Sequence, residues 1–424
     1  MRRTPALVVV AGVTLLLAAV AVFALGSSND PPAADGEGST GPQAAAPTPT
    51  PRPTARPKPG HEIYGYVPYW EMDEDIADHV AQQDLSTLAL FSVTARRNGT
   101  LNDSARGYRR ITDDVGRRLI REARDRGVRV ELVFSSFGAA RNERLFGGSV
   151  ATQDKVIENL ASFVKEHRFD GVNVDVEVLD RELIPAYAGF VERLRDRLRA
   201  DDPDAQVSVA TGANVVGSEM AAAAAQAGAD RIFLMGYDYH WSGSAPGASA
   251  PLVRRDGDEK DLAWSLDRYE ALGVPVERTL LGLPLYGMTW PVDGPGIGAG
   301  RTGRGTAWVP SNNRGFLRRP PVEPVRDEIE VVDVYVIPPE GVDPDAPTAT
   351  PDLAAGAGAT PESAGGGGWR AIYVDSPETL VPKLRLADDR GLAGAGFWAI
   401  GFERGLPGYQ KLIDDFRRDE LPSP

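Results

Sequence analysis

The chain has 424 residues, 46 basic against 60 acidic side chains, a formal net charge of −14 and no cysteine. That balance argues against nucleic acid as a partner, because phosphates need a basic face, and the absence of cysteine excludes disulfides, iron–sulfur clusters and thiolate zinc sites. The four histidines, His61, His79, His167 and His240, are scattered without metal-ligand spacing, so neither a metal nor a cofactor is expected.

Arg2 and Arg3 precede an apolar run at 6–25. A charged start before a hydrophobic core reads as a signal peptide, and about 20 apolar residues also suffice to span a bilayer. Residues 1–26 are therefore expected to be a signal peptide or a membrane anchor. The protein is expected outside the cytoplasm, secreted or held at the membrane by that segment. Residues 27–60 are rich in Pro, Ala, Gly, Ser and Thr and have no apolar periodicity. Such a stretch cannot bury enough surface to offset its ordering entropy and reads as a disordered linker. The folded domain is expected over 61–418.

From residue 61 onward, short β-branched runs alternate with amphipathic ones. Strands are expected at 63–70, within 85–95, and at 129–135, 171–177, 206–212, 231–238, 279–287 and 393–401. After the fourth, Leu183, Tyr187, Phe190, Leu194 and Leu198 recur every three or four residues and give a helix one apolar face. Strand–helix alternation argues for a parallel sheet, and eight such units argue for a closed TIM-type (β/α)8 barrel in the α/β class. The alternative, an open doubly wound sheet, is weakened because no Gly-rich phosphate fingerprint follows the first strand. Residues 290–368 interrupt the pattern between strands seven and eight. Within them 328–337 is read as a strand pair and 341–368 as a disordered tail. A loop leaving strand seven emerges on the catalytic face of a barrel, as a wall of the cleft or as a tolerated insertion.

The fourth strand carries the strongest chemical signal: Asp170-Gly-Val-Asn173-Val-Asp175-Val-Glu177. Side chains alternate faces along a strand. Asn173, Asp175 and Glu177 therefore share one face, and Val172, Val174 and Val176 share the other, which suits the surrounding helices. The polar file then points into the barrel and ends at its C-terminal mouth. Carboxyls buried there are costly without partners. They are either functional or members of structural ion pairs.

At these residues the chain resembles glycoside hydrolase family 18, the chitinase-like family, whose strand-four signature is Asp-x-x-Asp-x-Asp-x-Glu. Asp170, Asp175 and Glu177 match it, and Asn173 replaces the second Asp. Met235-Gly-Tyr237-Asp238, Gly282-Leu-Pro284-Leu-Tyr286-Gly287 and Trp398 resemble the family's motifs on strands six, seven and eight. Ser135-Ser-Phe-Gly138 only partly matches the strand-three Ser-x-Gly-Gly pattern. Tyr373-Val-Asp375-Ser and the segment from Trp398 to Glu403 look most like the bacterial cell-wall and spore-associated branch.

The resemblance implies a retaining, substrate-assisted glycoside hydrolase acting beside N-acetylglucosamine in chitin or peptidoglycan. Glu177 would be the proton donor, Asp175 would hold the acetamido N–H, and Tyr237 would orient the acetamido carbonyl. Met235 and Asp238 would line the same subsite, with Trp398 as its floor. Asn173 can hydrogen-bond Asp175 but cannot trade a proton with it, and it is counted with the substrate-binding set. Trp70, Trp241 and Trp290 follow strand ends and would either stack on sugar rings or pack loops. Tyr286 is either a cleft hydroxyl or strand packing. The expected partner is an N-acetylglucosamine-containing polysaccharide, and a monomer is expected. The competing reading is a non-catalytic carbohydrate-binding barrel.

Overall fold

The computed structural model describes residues 60–340 and 368–422. The segments expected as signal or anchor, as linker and as disordered tail lie outside the described residues, apart from their last residues, Gly60 and Gly368. No helix among the described residues is long and apolar enough to cross a membrane.

Strand β4 (Gly171–Glu177) shows how the sequence builds the body of the molecule. Its three valines are buried in the layer between strands and helices, together with Phe134 and Phe190, whose rings lie 5.9 Å apart. Phe190 belongs to the helix Ile184–Asp201, which buries Ile184, Tyr187, Phe190, Val191, Leu194 and Leu198 at helical spacing. Each large apolar side chain taken fully from water contributes about 1.5–3 kcal/mol, so this layer fixes which face of each strand turns outward. The same logic applies to β1 (Glu62–Pro68), β2 (Thr87–Val93), β3 (Arg129–Phe137), β5 (Gln206–Gly212), β6 (Arg231–Met235) and β7 (Thr279–Pro284). Strand β13 (Gly394–Trp398) lies between β7 and β1 and closes the parallel barrel in the order β1–β13–β7–β6–β5–β4–β3–β2.

The inward faces form a second, smaller cluster around Tyr64, Tyr66, Phe91, Val133 and Phe233. The Phe233 ring fills the interior because β7 and β13 carry glycines opposite it. A Cβ on Gly282 would lie 2.3 Å from that ring, and one on Gly396 2.5 Å. At the N-terminal end of the strands, Glu62 accepts from Arg231 Nε at 2.7 Å. Asp170 accepts from the Val130 backbone N–H at 2.8 Å and from the Arg124 guanidinium. The first Asp of the strand-four motif is thus a structural tie far from the mouth.

Four expected strands, the first, sixth, seventh and eighth, run past their true ends at Pro68, Met235, Pro284 and Trp398. Residues 236–238 leave the sheet after Met235, and Asp238 takes a positive φ of 62°. The chain leaves the barrel at Pro284, which has no N–H to give a ladder. It then enters a different, antiparallel sheet. That sheet contains β8 (Gly287–Val292), β9 (Thr306–Trp308), β10 (Val325–Asp327), β11 (Val332–Ile337) and β12 (Trp369–Val374), in the order β10–β11–β12–β8–β9. The strand pair read within 328–337 exists as β10–β11, but its first arm lies upstream and 328–331 form the turn between the arms.

That turn is bound to the loop following β6. Glu330 Oε2 accepts from the Ala248 backbone N–H at 2.6 Å, and Oε1 accepts from that of Arg255 at 3.0 Å. Oε1 also lies 3.0 Å from His240 Nε2, with both side chains buried. Arg255 Nε donates to Asp327 Oδ2 at 2.8 Å.

Candidate active site

The mouth of the barrel is built by strand ends. Asn173 and Asp175 are buried on the inward face of β4, and Glu177 is half-buried at its last position. Tyr237 and Asp238 follow β6, Tyr286 follows β7, and Trp398 ends β13. The Tyr237 and Tyr286 rings are 6.2 Å apart. Tyr286 donates its hydroxyl to Asp238 Oδ1, and Ser249 Oγ accepts the Asp238 backbone N–H at 3.1 Å. These contacts hold Asp238 in its left-handed backbone conformation, a costly state for a residue other than glycine.

The electrostatics follow from burial. Removal from water favours the neutral form of a carboxyl. It pushes Asp175 up to about 7. Burial, then the negative charges of Asp175 and Asp238, hold Glu177 well above the usual carboxylate range. Burial raises Asp238 to about 6, although the Tyr286 and Ser249 hydroxyls pull the other way. Burial, with the neighbouring Tyr66 and Tyr286, raises the Tyr237 hydroxyl above its ordinary value, so it remains a donor. A carboxyl raised in this way at Glu177, beside an ionisable neighbour, is the arrangement a general acid needs.

Around these groups lies an aromatic floor. Trp398 stands 4.8 Å from Phe91, 5.5 Å from Tyr66 and 6.3 Å from Trp70 between ring centroids. Phe137, the residue before Gly138 in the partial strand-three match, pairs in register with Glu177 and stacks on Phe91 at 6.2 Å. Trp70, Phe137 and Trp398 are each only partly buried. Met235 packs against the same cluster.

Three of the singled-out residues are fully buried. Asn173 is completely buried, and its Nδ2 donates to Ser208 Oγ at 2.8 Å, while its Oδ1 has no partner. Its donor is therefore turned to Ser208 and not to Asp175. Tyr286 is 1% exposed, and its hydroxyl donates to Asp238 and braces it. Trp290 is fully buried in the inserted sheet, 5.9 Å from Tyr373, the packing alternative of the two offered for it.

Sequence reading also missed residues. Glu131 is completely buried inside the barrel, where the alternation of β3 places it on the same face as Val133, Ser135 and Phe137. Tyr64 and Ser208 accompany it. The signal was available: a lone carboxyl at an inward position of the strand. His61, Asp388 and Asp419 bring three potential ligand atoms within 4.8 Å of one another. They lie at the N-terminal end of the strands, away from Glu177.

The family model described as Glycosyl hydrolases family 18 matches residues 62–403. Among curated proteins, the chain is 30% identical over 143 residues to a putative sporulation-specific glycosylase of Bacillus subtilis, covering 32% of this chain and 31% of that one. The chain spans about a third of the length of the curated relatives it matches. Among solved structures, the spore cortex-lytic enzyme SleL of Bacillus cereus superposes with a TM-score of 0.62 at 18% identity, covering 84% of this chain and 74% of that one. A class V chitinase from Nicotiana tobaccum gives 0.68 at 15% identity, covering 84% and 99%. At these identities the structures attest the fold.

Proposed function

Because the chain belongs to glycosyl hydrolases family 18, we propose that it is a glycoside hydrolase cleaving β-1,4 bonds beside N-acetylglucosamine in chitin or peptidoglycan. The observation that carries this reading is the inward file of β4. There Glu177 is raised by burial and by the charges of Asp175 and Asp238. Glu177 protonates the departing glycosidic oxygen. The acetamido oxygen of the substrate attacks the anomeric carbon, so no enzyme nucleophile is needed and configuration is retained. Asp175 holds the acetamido N–H and balances the positive charge of the oxazolinium intermediate. Tyr237 donates its hydroxyl to the acetamido carbonyl and aligns it for attack, which depends on orientation. Trp398 and Trp70 offer apolar faces to sugar rings. The likeness to a sporulation-specific glycosylase and to a spore cortex-lytic enzyme supports the cell-wall and spore-associated branch. The apolar run at 6–25 and the spacer at 27–60 support a place outside the cytoplasm.

Two departures favour a second reading, a carbohydrate-binding barrel without turnover. Asn173 stands where the family signature has Asp, and Phe137 puts a ring beside Glu177. One experiment separates the two. The full-length protein is incubated with N-acetylglucosamine oligosaccharides and with purified peptidoglycan, beside Glu177→Gln. The hydrolase reading expects products from the wild type with retained anomeric configuration, a drop of about 100- to 10,000-fold in kcat for the variant, and unchanged oligosaccharide affinity. Binding without products from either protein would establish the second reading.

A further inference from the structure

Position 173 holds an amide where the family signature has a carboxyl, and the barrel holds a carboxyl nearby on another strand. Glu131 enters from β3 and is completely buried. Its Oε2 accepts from the Tyr64 hydroxyl at 2.7 Å and from the Ser208 hydroxyl, and its Oε1 has no partner. Ser208 lies directly opposite Asn173 across the β4–β5 pair. It gives its single proton to Glu131 and can only accept from Asn173, whose Nδ2 donates to it. The direction of the amide is thereby set: nitrogen toward Ser208, and Oδ1 buried and unpaired at the other end. Asp175 occupies the next inward position of β4, about 6–7 Å along the strand, and its Oδ1 is also buried and unpaired.

We propose that Glu131 is a positioning residue that stands in for the missing carboxyl at 173, setting through Ser208 which end of the Asn173 amide is presented to Asp175. This rests on the reading of Asp175 as the acetamido clamp. When Glu131 is ionised, the chain runs from Asn173 through Ser208 to Glu131, and the amide offers Asp175 only an acceptor, which favours a protonated Asp175. When Glu131 is protonated, its O–H donates to Ser208 and Ser208 donates to Asn173 Oδ1. The amide turns over, and Nδ2 donates to the Asp175 carboxylate. One negative charge then belongs alternately to two carboxyls, with no proton passing through position 173.

The surroundings suit such an exchange. Burial raises Glu131 against the hydroxyls of Ser208 and Tyr64, which lower it. Burial raises Asp175 also. The ionisable groups facing Glu131 are Tyr64 and Tyr66 from β1, Arg129 from its own strand, and Asp230 and Arg231 at the start of β6. Those facing Asp175 are Tyr66, Glu177, Tyr187 from the helix Ile184–Asp201, and Tyr237. The tyrosines are all held protonated by burial.

The test is titration of the full-length protein carrying 13C-carboxyl aspartate, with the Asp175 resonance identified by its loss in Asp175→Asn. Glu131→Gln removes the competing charge, and the Asp175 titration should move at least tenfold in proton affinity toward lower pH. Ser208→Ala leaves both carboxyls but frees the Asn173 donor, and it should move Asp175 the same way by itself. Adding Glu131→Gln to Ser208→Ala should then change Asp175 less than threefold. An Asp175 titration unmoved by Ser208→Ala overturns the proposal, even if Glu131→Gln does not fold. A Glu131→Gln shift undiminished in the Ser208→Ala background overturns it too, since the coupling would be through space. Turnover on N-acetylglucosamine oligosaccharides is measured separately. Its absence would count against the hydrolase reading and leave the titration to judge Glu131.

Discussion

Replacing Asp175 with Asn should stabilise the protein, and only when the solution is not acidic. Asp175 is 4% exposed, and burial raises its carboxyl from the ordinary 3.8 to about 7. That gap is roughly three units, each worth about 1.4 kcal/mol, so the ionised form costs the folded state roughly 4 kcal/mol. A carboxyl whose folded pKa exceeds its unfolded one favours folding while it is protonated. Its contribution is fully present below the unfolded value and is lost as pH rises toward 7. Asn keeps the shape and carries no charge at any pH. Urea unfolding of full-length wild type and Asp175→Asn at pH 4 and pH 8 should therefore show nearly equal stabilities at the lower pH. At the higher pH the variant should gain about 2–4 kcal/mol, the smaller figure applying if Glu177 takes up part of the proton. Hydrolysis should collapse in the same variant. A stability difference that is the same at both pH values would refute the premise that burial raises the Asp175 carboxyl.

Three further outcomes follow. Tyr286→Phe removes a hydroxyl that lowers Asp238. A charged hydrogen bond is worth about 1.5–3 kcal/mol, so the Asp238 carboxyl should titrate roughly one to two units higher by 13C NMR. Asn173→Asp adds a carboxyl between Ser208 and Asp175, and the acidic limb of the pH–rate profile on a soluble oligosaccharide should move upward; Asn173→Asp should not rescue Glu177→Gln. Lys383, fully buried, donates to Asp375. Lys383→Met should cost about 3–5 kcal/mol by urea denaturation because it leaves that carboxyl without its cation, and Asp375→Leu in the same chain should recover much of the loss.

The barrel was legible because its signals are local. Val172, Val174 and Val176 alternating with Asn173, Asp175 and Glu177 carry a period of two that only a strand satisfies, and β4 lies where the sequence placed it. The expected sixth strand ran on through Gly236-Tyr237-Asp238, because nothing local announces that a tertiary bond from Tyr286, 48 residues away, holds Asp238 out of the sheet. The inserted sheet was mostly invisible for the same reason. Its central pairing joins Met288 to Tyr373, a relation with no periodic trace. Glu131 was missed differently. Its strand was identified, but only its C-terminal end was read, and the face on which the carboxyl stands was left unassigned.

The hairpin turn at Glu330 bears on how this architecture can change. Two backbone N–H groups of the loop after β6 depend on one carboxylate borrowed from the insertion, and the same loop carries Ser249, whose hydroxyl receives the Asp238 N–H. The insertion is therefore not a cassette. A graft that exchanged 293–368 for a shorter connection would orphan Ala248 and Arg255 and slacken the loop that steadies Asp238. A graft that kept Asp327 and Glu330 on a tight turn could vary the remainder. Recombination between barrels of this kind should thus succeed at the ends of β8 and β12 only when the donor brings its own acidic turn.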